Sequence, residues 1–542
     1  MKKKIALLLN LILLGCCLTG VFCWRFLTPA LGYRSVDAED IKAMKATHTQ
    51  AAEPFFTALA FSGEQLPYDS ATSTFYLPLD METDVWESGE LSSLDKSVQL
   101  LFEEDMADTD KQEAIRTGKA FCFYAVKDGE YQVCQVVATG LPVISIETAE
   151  SADTEVFGGS AFFWDNTTKI NWTSSSILEA HIRGNTSRMY PKKGYKLTLK
   201  KQKKSGDIVA DKKSLFGLRS DDEWILNAMY TDSSKIRDKL NADLWSEIGA
   251  VRSDFPSAYF GTRMTYVEVF FNHEYWGLYM LAEPVDSKQL DLKEGEHSYK
   301  SVTPQTLPTE ELLNQPEYGQ NLDGYELKGK RDTVGRSDWE PLLDYLKLRD
   351  LTTDEEFRET ASALTDREGA LNVWIFLQAV LGIDNRGKNM YYVAKQTASG
   401  PKLYFAPWDM DITWGDALSE NEDGDSVWKV GLFTGLYSER INWAYGDRLV
   451  ELDVDETRDY VNRTWKELRA GVFSEENLTE RIDGLVHQVQ DSGAYTRNEE
   501  RWPDSSSGQN YDLFKRMAFY RFGILDYYFN GNLEEYMGLG YE

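Results

Sequence analysis

The chain has 542 residues, 42% of them hydrophobic and 13% aromatic, enough apolar material for roughly two to four packed domains and too much for global disorder. Its 88 Asp and Glu outnumber 58 Lys and Arg, giving a net charge of −30, which argues against a nucleic-acid binder because phosphate-backbone recognition needs an excess of cations. The same acidity suits solubility or a basic protein partner.

Residues 1–24, MKKKIALLLNLILLGCCLTGVFCW, place three lysines ahead of an apolar run, the pattern of an export signal or membrane anchor. Two readings stay open. Leu13-Leu14-Gly15-Cys16 resembles a bacterial lipobox with Cys16 as the lipidated residue, and the run is also long enough to cross a bilayer as a signal anchor. Both put the rest of the chain outside the cytoplasm. Only Cys122 and Cys134 lie beyond the anchor; they flank an Asp128-Gly129 turn and are expected to close a hairpin disulfide. Residues 25–53 read as a polar linker. Residues 54–140 read as a β-rich accessory region, because AFCFYAV and YQVCQVVATGLPVISI are dense in β-branched and aromatic side chains. It holds no catalytic pattern.

From residue 141 the text changes. Gly184 to Ser187 is a turn of small residues with Arg183 and Arg188 beside it, and exposed backbone N–H groups next to guanidiniums suit an anion, although a basic hairpin without a ligand reads the same. Tyr195 to Leu199 alternates as a strand and carries Lys196; Lys192 and Lys193 are its competitors as a phosphate-neutralising lysine. A helix is expected over 232–248, with Ile236, Leu240, Leu244 and Ile248 as its buried stripe and Asp243 or Glu247 as an acidic partner for the lysine. TYVEVFFN and YWGLYMLAEPV form a hairpin around Asn272-His273-Glu274 and run into Glu283-Pro284, where proline halts sheet pairing. A helical pattern over 366–381, with Trp374 and Phe376 as core, then delivers the chain to Asp384.

The stretch Gly382 to Gly415 concentrates the chemistry. Asp384 is followed five residues later by Asn389, the Asp-x-x-x-x-Asn spacing of a kinase catalytic loop, and a hairpin leads to Asp409 and Asp411. Magnesium takes oxygen ligands and usually only one or two carboxylates, leaving the remainder to phosphate and water. Asp409 and Asp411, two apart on an expected strand, share a face, which suits a metal better than the opposed carboxylates of a glycosidase. Trp408, Trp414 and Trp443, if exposed, would favour the carbohydrate reading. The run Glu420 to Asp425 reads as a solvated loop or a calcium loop. Helices follow from Asp455, the last strong one over 511–528, and 531–542 is a tail.

In serial order these parts are a small-residue turn, a strand with a lysine, a helix, a hairpin, a chain crossing, helices, Asp-x-x-x-x-Asn and metal-type acids. That is the order of a two-lobed kinase, with lobes over 141–286 and 287–530. Phosphoryl transfer asks for phosphate neutralisation, metal and an aligned acceptor. Lys196 would face the α/β phosphates, Asp384 the acceptor hydroxyl, and Asn389, Asp409 and Asp411 the metal.

HIRGNTSRMYPKKGYKLTL, WILNAMYTDSSKIRDKL, VEVFFNHEYWGLYMLAEPVD, DNRGKNMYYV and APWDMDITWG together resemble the CotH family of spore-coat-type atypical kinases over about 141–530. The resemblance implies an α+β, divergent two-lobed protein-kinase-like fold behind the β-rich accessory region and anchor. It implies transfer of phosphate from ATP, with Mg²⁺ or Mn²⁺, to serine or threonine of coat or exported proteins, a basic Ser-rich substrate being one form. Carried over by residue, Asp384 is the catalytic acid, Asn389 and Asp409 or Asp411 hold metal, and Lys196, Arg183, Gly184 and Glu283 contact the nucleotide, Glu283 at an adenine-facing hinge. A Gly-x-Gly-x-x-Gly loop, His-Arg before Asp384 and Phe-Gly after Asp411 are missing, as expected within the family.

Overall fold

The computed structural model describes residues 33–79, 90–166, 172–329, 333–420, 426–429 and 439–539; the anchor at 1–24 and the acid run at 421–425 lie outside the described residues. Among the described residues no helix is long and apolar enough to cross a membrane.

The described residues begin with a sheet whose main strands are β1 (Thr74–Pro78), β2 (Gln99–Phe102), β3 (Ala120–Lys127) and β4 (Glu130–Thr139), ordered β2-β3-β4-β1. The expected linker is folded into this unit from residue 33. Arg34–Ser35 pairs in parallel with β2, Thr49–Gln50 with β4, and helix α1 (Ala38–Thr47) buries Met44 against Leu101 and Tyr124. Asp128 and Gly129 both take positive φ, the geometry of a tight hairpin turn. The expected disulfide does not form: Cys122 pairs across the hairpin with Gln135 and Cys134 with Phe123. Being one register step apart, the two thiols point to opposite faces, Cys134 inward and Cys122 partly outward, and both are free.

Seven strands then close into a barrel: β5 (Val143–Glu147), β6 (Val156–Trp164), β7 (Thr173–Arg183), β8 (Gly194–Gln202), β9 (Glu223–Asn227), β10 (Met264–Phe271) and β11 (Glu274–Ala282). Pairing runs β5-β6-β7-β8-β9-β11-β10 and returns to β5, with only β5 and β10 parallel. Alternate residues such as Ile146, Leu178, Leu197, Trp224 and Val267 fill the interior. On β8 that puts Tyr195, Leu197 and Leu199 inside and turns Lys196 outward.

Helix α2 (Arg237–Ile248) separates β9 from β10. It begins five residues later than the sequence pattern implies. Asp232 accepts from the backbone N–H of Ser234 and Arg237 at 2.9 and 3.0 Å, so the preceding segment is a capping loop. Ile236, Leu240 and Leu244 are fully buried as expected, against the core that the rest of the chain builds.

That remainder is mostly helical around a small sheet. β12 (His297–Ser301) pairs with β13 (Tyr325–Leu327) and with β14 (Met390–Thr397), and β14 with β15 (Gly400–Pro407). The central helix α3 (Arg367–Val380) is capped by Asp366, which accepts from Gly369 N at 3.1 Å, and ends where Leu381 turns left-handed. Trp374 and Phe376 on it are fully enclosed. Helices α4 (Thr457–Ala470), α5 (Glu475–Gln490), α6 (Ala494–Arg501) and α7 (Tyr511–Tyr528) follow it among others in this part, and α6 packs back onto β11 of the barrel.

Candidate functional site

The hydrophobic stripe of α3 fixes where the chain emerges, and Asp384 stands on the short 3₁₀ turn that follows, Asp384–Arg386. The buried Asn385 pins this turn by donating to Asn389 O at 3.0 Å and Trp408 O at 2.8 Å. Asn389, in a left-handed conformation, donates from its side chain to Asp384 Oδ2 at 2.7 Å and reaches Asp409 O at 3.4 Å. Lys388 Nζ lies 3.1 Å from the same Asp384 oxygen. Asp384 Oδ1 and Asn389 Oδ1 have no hydrogen-bond partner among the described residues.

β15 ends at Pro407, so Asp409 and Asp411 do not share a strand face; Asp409 also turns left-handed, and the 409–416 loop is held by α2 instead. Asp238 accepts from Met410 N at 3.0 Å, while Asn241 donates to Met410 O and Thr413 Oγ1, both at 2.8 Å, and accepts from Trp414 Nε1 at 2.9 Å. Arg237 donates to Thr413 O at 3.1 Å and pairs with Asp232 at 2.6 Å.

Asp238 is the acid that α2 contributes. Asp243 and Glu247, the sequence candidates, turn outward to Lys239 and Arg481. Asp238 reads only as a first-turn helix acid, and its burial against Met410 is a tertiary fact. Burial, then the Asp409 charge, raises its pKa to about 7. Asp411 lies well above the carboxylate range, first by burial and then through Asp409, Asp238, Asp232 and Asp384. Asp384 is raised by burial, with Lys388 opposing and Asp409 adding. Asp232, Asp238, Asp384, Asp409 and Asp411 thus lie within electrostatic reach of one another without converging on a point.

Facing them are two cations. Arg183, at the end of β7, lies over the Trp408 ring at 5.5 Å, and Lys300 on β12 lies over the same ring at 5.5 Å and over Tyr391 at 5.9 Å. Burial and Arg183 lower the Lys300 pKa to about 8, against the pull of Asp409. Nothing in the sequence singles out Lys300; its cross-strand neighbours Tyr391 and Glu326 reveal it only once the register is known.

The other predicted residues lie elsewhere. Lys196 pairs with Glu223 on the outer barrel surface, with no hydrogen bond or ion pair to the acid cluster among the described residues. Lys192 is buried and donates to Ala228 O and Asn498 Oδ1 at 2.9 and 2.8 Å, and Lys193 to the carbonyls of Arg188 and Tyr190. Gly184 takes φ +104°, and a Cβ there would sit 1.9 Å from Ser187 Oγ, so the turn requires glycine. Residues 184–187 are exposed, but Arg188 turns away to Glu155. Glu283 is fully buried: its N–H donates to Arg263 O at 2.9 Å, its carbonyl accepts from Thr262, and its carboxylate accepts from Arg219 N. It offers no edge to a base. Trp408, Trp414 and Trp443 are buried at 5%, 3% and 3%, so the exposed aromatic platform of the carbohydrate reading is absent.

Among the described residues no three His, Cys, Asp or Glu converge as a ready metal cage. The donor set is all oxygen, which fits magnesium or manganese, and such an ion needs few carboxylates when phosphate supplies the others. No curated protein matches the chain at a significant level. A family model does match, over residues 180–516, from the end of β7 through the acid cluster into α7, and the chain belongs to the family it describes, the CotH kinase proteins.

Proposed function

We propose that the chain is an atypical protein kinase that moves the γ-phosphate of ATP to a serine or threonine of an extracytoplasmic or coat protein, tethered by its first 24 residues. The observation that supports this best is the pairing of Asp384 with Asn389 beside Asp409, Asp411 and Asp238, in a chain of this family. A β-barrel followed along the chain by a mainly helical part agrees with a divergent two-lobed kinase fold.

The residues divide the work by their free atoms. Asn389 and Lys388 hold Asp384 by one oxygen, leaving Oδ1 to orient the acceptor hydroxyl and take its proton. Asn389 Oδ1, Asp409 and Asp411 would hold a divalent ion. A bound ion there would supply shielding of phosphate charge, and would relieve the carboxylates that Asp409 now opposes. Arg183, over the Trp408 ring at 5.5 Å, would meet phosphate beside them.

The test is phosphate transfer by the full chain in detergent, with labelled ATP, Mg²⁺ or Mn²⁺ and a Ser- and Lys-rich polypeptide. Asp384→Ala and Asp409→Ala run in parallel. Transfer by wild type and loss in both folded variants is the expected result. No transfer with either metal and no ATP-dependent rise in melting temperature would leave a non-catalytic envelope or coat scaffold.

A further inference from the structure

Trp408 lies at the meeting of three donors that lack partners. Its own Nε1–H is buried and makes no hydrogen bond. Arg183 and Lys300 both lie over its ring at 5.5 Å, and among the described residues neither has a hydrogen bond or an ion pair. Lys300 could have been neutralised locally, since Glu326 is its cross-strand neighbour, but Glu326 pairs with Lys328 at 3.0 Å instead. Two like charges held against one indole, beside a buried unpaired N–H, are an unfavourable arrangement until an anion arrives. Lys196, by contrast, already has Glu223.

We propose that Arg183, Lys300 and the Trp408 indole N–H form one anion seat that takes the polyphosphate of the nucleotide, with Lys300 rather than Lys196 as its lysine. This deepens the kinase reading, which supplies the identity of the anion; the two cations over one indole stand without it. Asp409, one residue past Trp408, puts the seat beside the oxygen donors, so an ion between seat and acids would face anionic oxygens on both sides.

Binding tests it directly. Calorimetric titrations of the full chain use ATP, sodium tripolyphosphate and adenosine, each with Mg²⁺. Losing one charge-assisted contact in Lys300→Met or Arg183→Met should weaken ATP and tripolyphosphate about tenfold or more and leave adenosine unchanged. Trp408→Phe, which keeps the ring and loses the N–H, should weaken the two anions by a smaller factor, and Lys196→Met should leave them near wild type. In wild type, where no variant has to fold, tripolyphosphate should protect Lys300 from amine acetylation as read by peptide mass spectrometry. Unchanged anion affinity in Lys300→Met, equal loss in Lys196→Met, absence of tripolyphosphate binding by wild type, or unprotected Lys300 each overturns the seat. If transfer proceeds while Lys300→Met binds normally, the seat falls and the kinase stands. If Lys300-dependent anion binding occurs without any transfer, the seat stands and the kinase falls.

Discussion

Asp384 carries its role on one oxygen, and that makes its substitution informative. Asn at 384 keeps the size and can still meet Asn389 and Lys388 through its carbonyl, but it cannot take a proton. Asp384→Asn is expected to lower the transfer rate by about 10²–10⁴, the range for a lost general base, with ATP affinity and melting temperature close to wild type. A loss of affinity equal to the loss of rate would make Asp384 a binding residue instead. Lys235 gives a second prediction, on stability. It is enclosed and donates to Met229 O, Ser505 Oγ and Ser506 O at 2.8, 2.9 and 2.8 Å. Burial, partly offset by Asp232 and Glu499, lowers its pKa to about 8. Between there and the ordinary lysine value the unfolded chain binds more protons than the folded one, so this group's contribution to stability rises with pH across that window. Below it, the cost of holding a buried ammonium is present in full. Lys235→Met should therefore lose about 2 kcal/mol more, relative to wild type, at pH 9.5 than at pH 7. Urea unfolding at both pH values reads this, and a pH-independent difference would mean the amine is charged in the fold throughout.

At the scale of elements, the local patterns were legible and their relations were not. Residues 366–381 and 511–528 read as helices because their apolar spacing and end residues agree, and both form within a residue of those limits. Lys196 could be placed on a strand by alternation, yet alternation does not say that the sheet closes, and closure is what turns it outward. That Asp384, Asn389 and Asp409 lie together could be anticipated because the Asp-x-x-x-x-Asn spacing and the hairpin after it are local in sequence. Asp238 and Lys300 were not, since each joins the site by a contact across about a hundred residues or more. The Cys122–Cys134 expectation failed for a related reason: turn chemistry fixed the hairpin, but one step of register decides the face. The link between α2 and the 409–416 loop is testable as an element. Asn241→Ala takes away the acceptor of Trp414 Nε1 and one of the two donors to Met410 O, Thr413 Oγ1 remaining as the other. It should destabilise the fold by about 1–3 kcal/mol, the usual cost of one buried hydrogen bond broken from one side, and loosen the loop that carries Asp409 and Asp411. Hydrogen exchange that rises across 409–416 and stays unchanged in α3 is the expected signature; a uniform rise would show that α2 stabilises the whole core and not this loop.

On the scale of the molecule, the accessory sheet, the barrel and the helical part meet at one buried carboxylate. Glu268 on β10 is fully enclosed and accepts from Tyr275 at 2.6 Å, from Arg497 of α6 at 2.9 and 2.8 Å, and from Thr139 at the end of β4. Tyr76 of β1 stacks on Tyr275 with centroids 5.5 Å apart, and Asn498 beside Arg497 accepts from Lys192. The accessory unit is thus not an independent bead on a linker: Tyr76 and Val137 from its sheet share one apolar cluster with Val143, Trp164, Phe270 and Tyr275 of the barrel. Removing Arg497 strands a charge that the fold has already desolvated. Arg497→Met should cost about 3–5 kcal/mol, the usual penalty for breaking a buried pair from one side, and Glu268→Gln in the same chain should return part of it by removing the stranded charge. Because Thr139 and Tyr275 share that carboxylate, exchange should quicken at the end of β4 and along β11 as well as in α6. Quickening confined to α6 would mean that the accessory sheet docks on the barrel by its apolar contacts alone, and that α6 can detach without disturbing it.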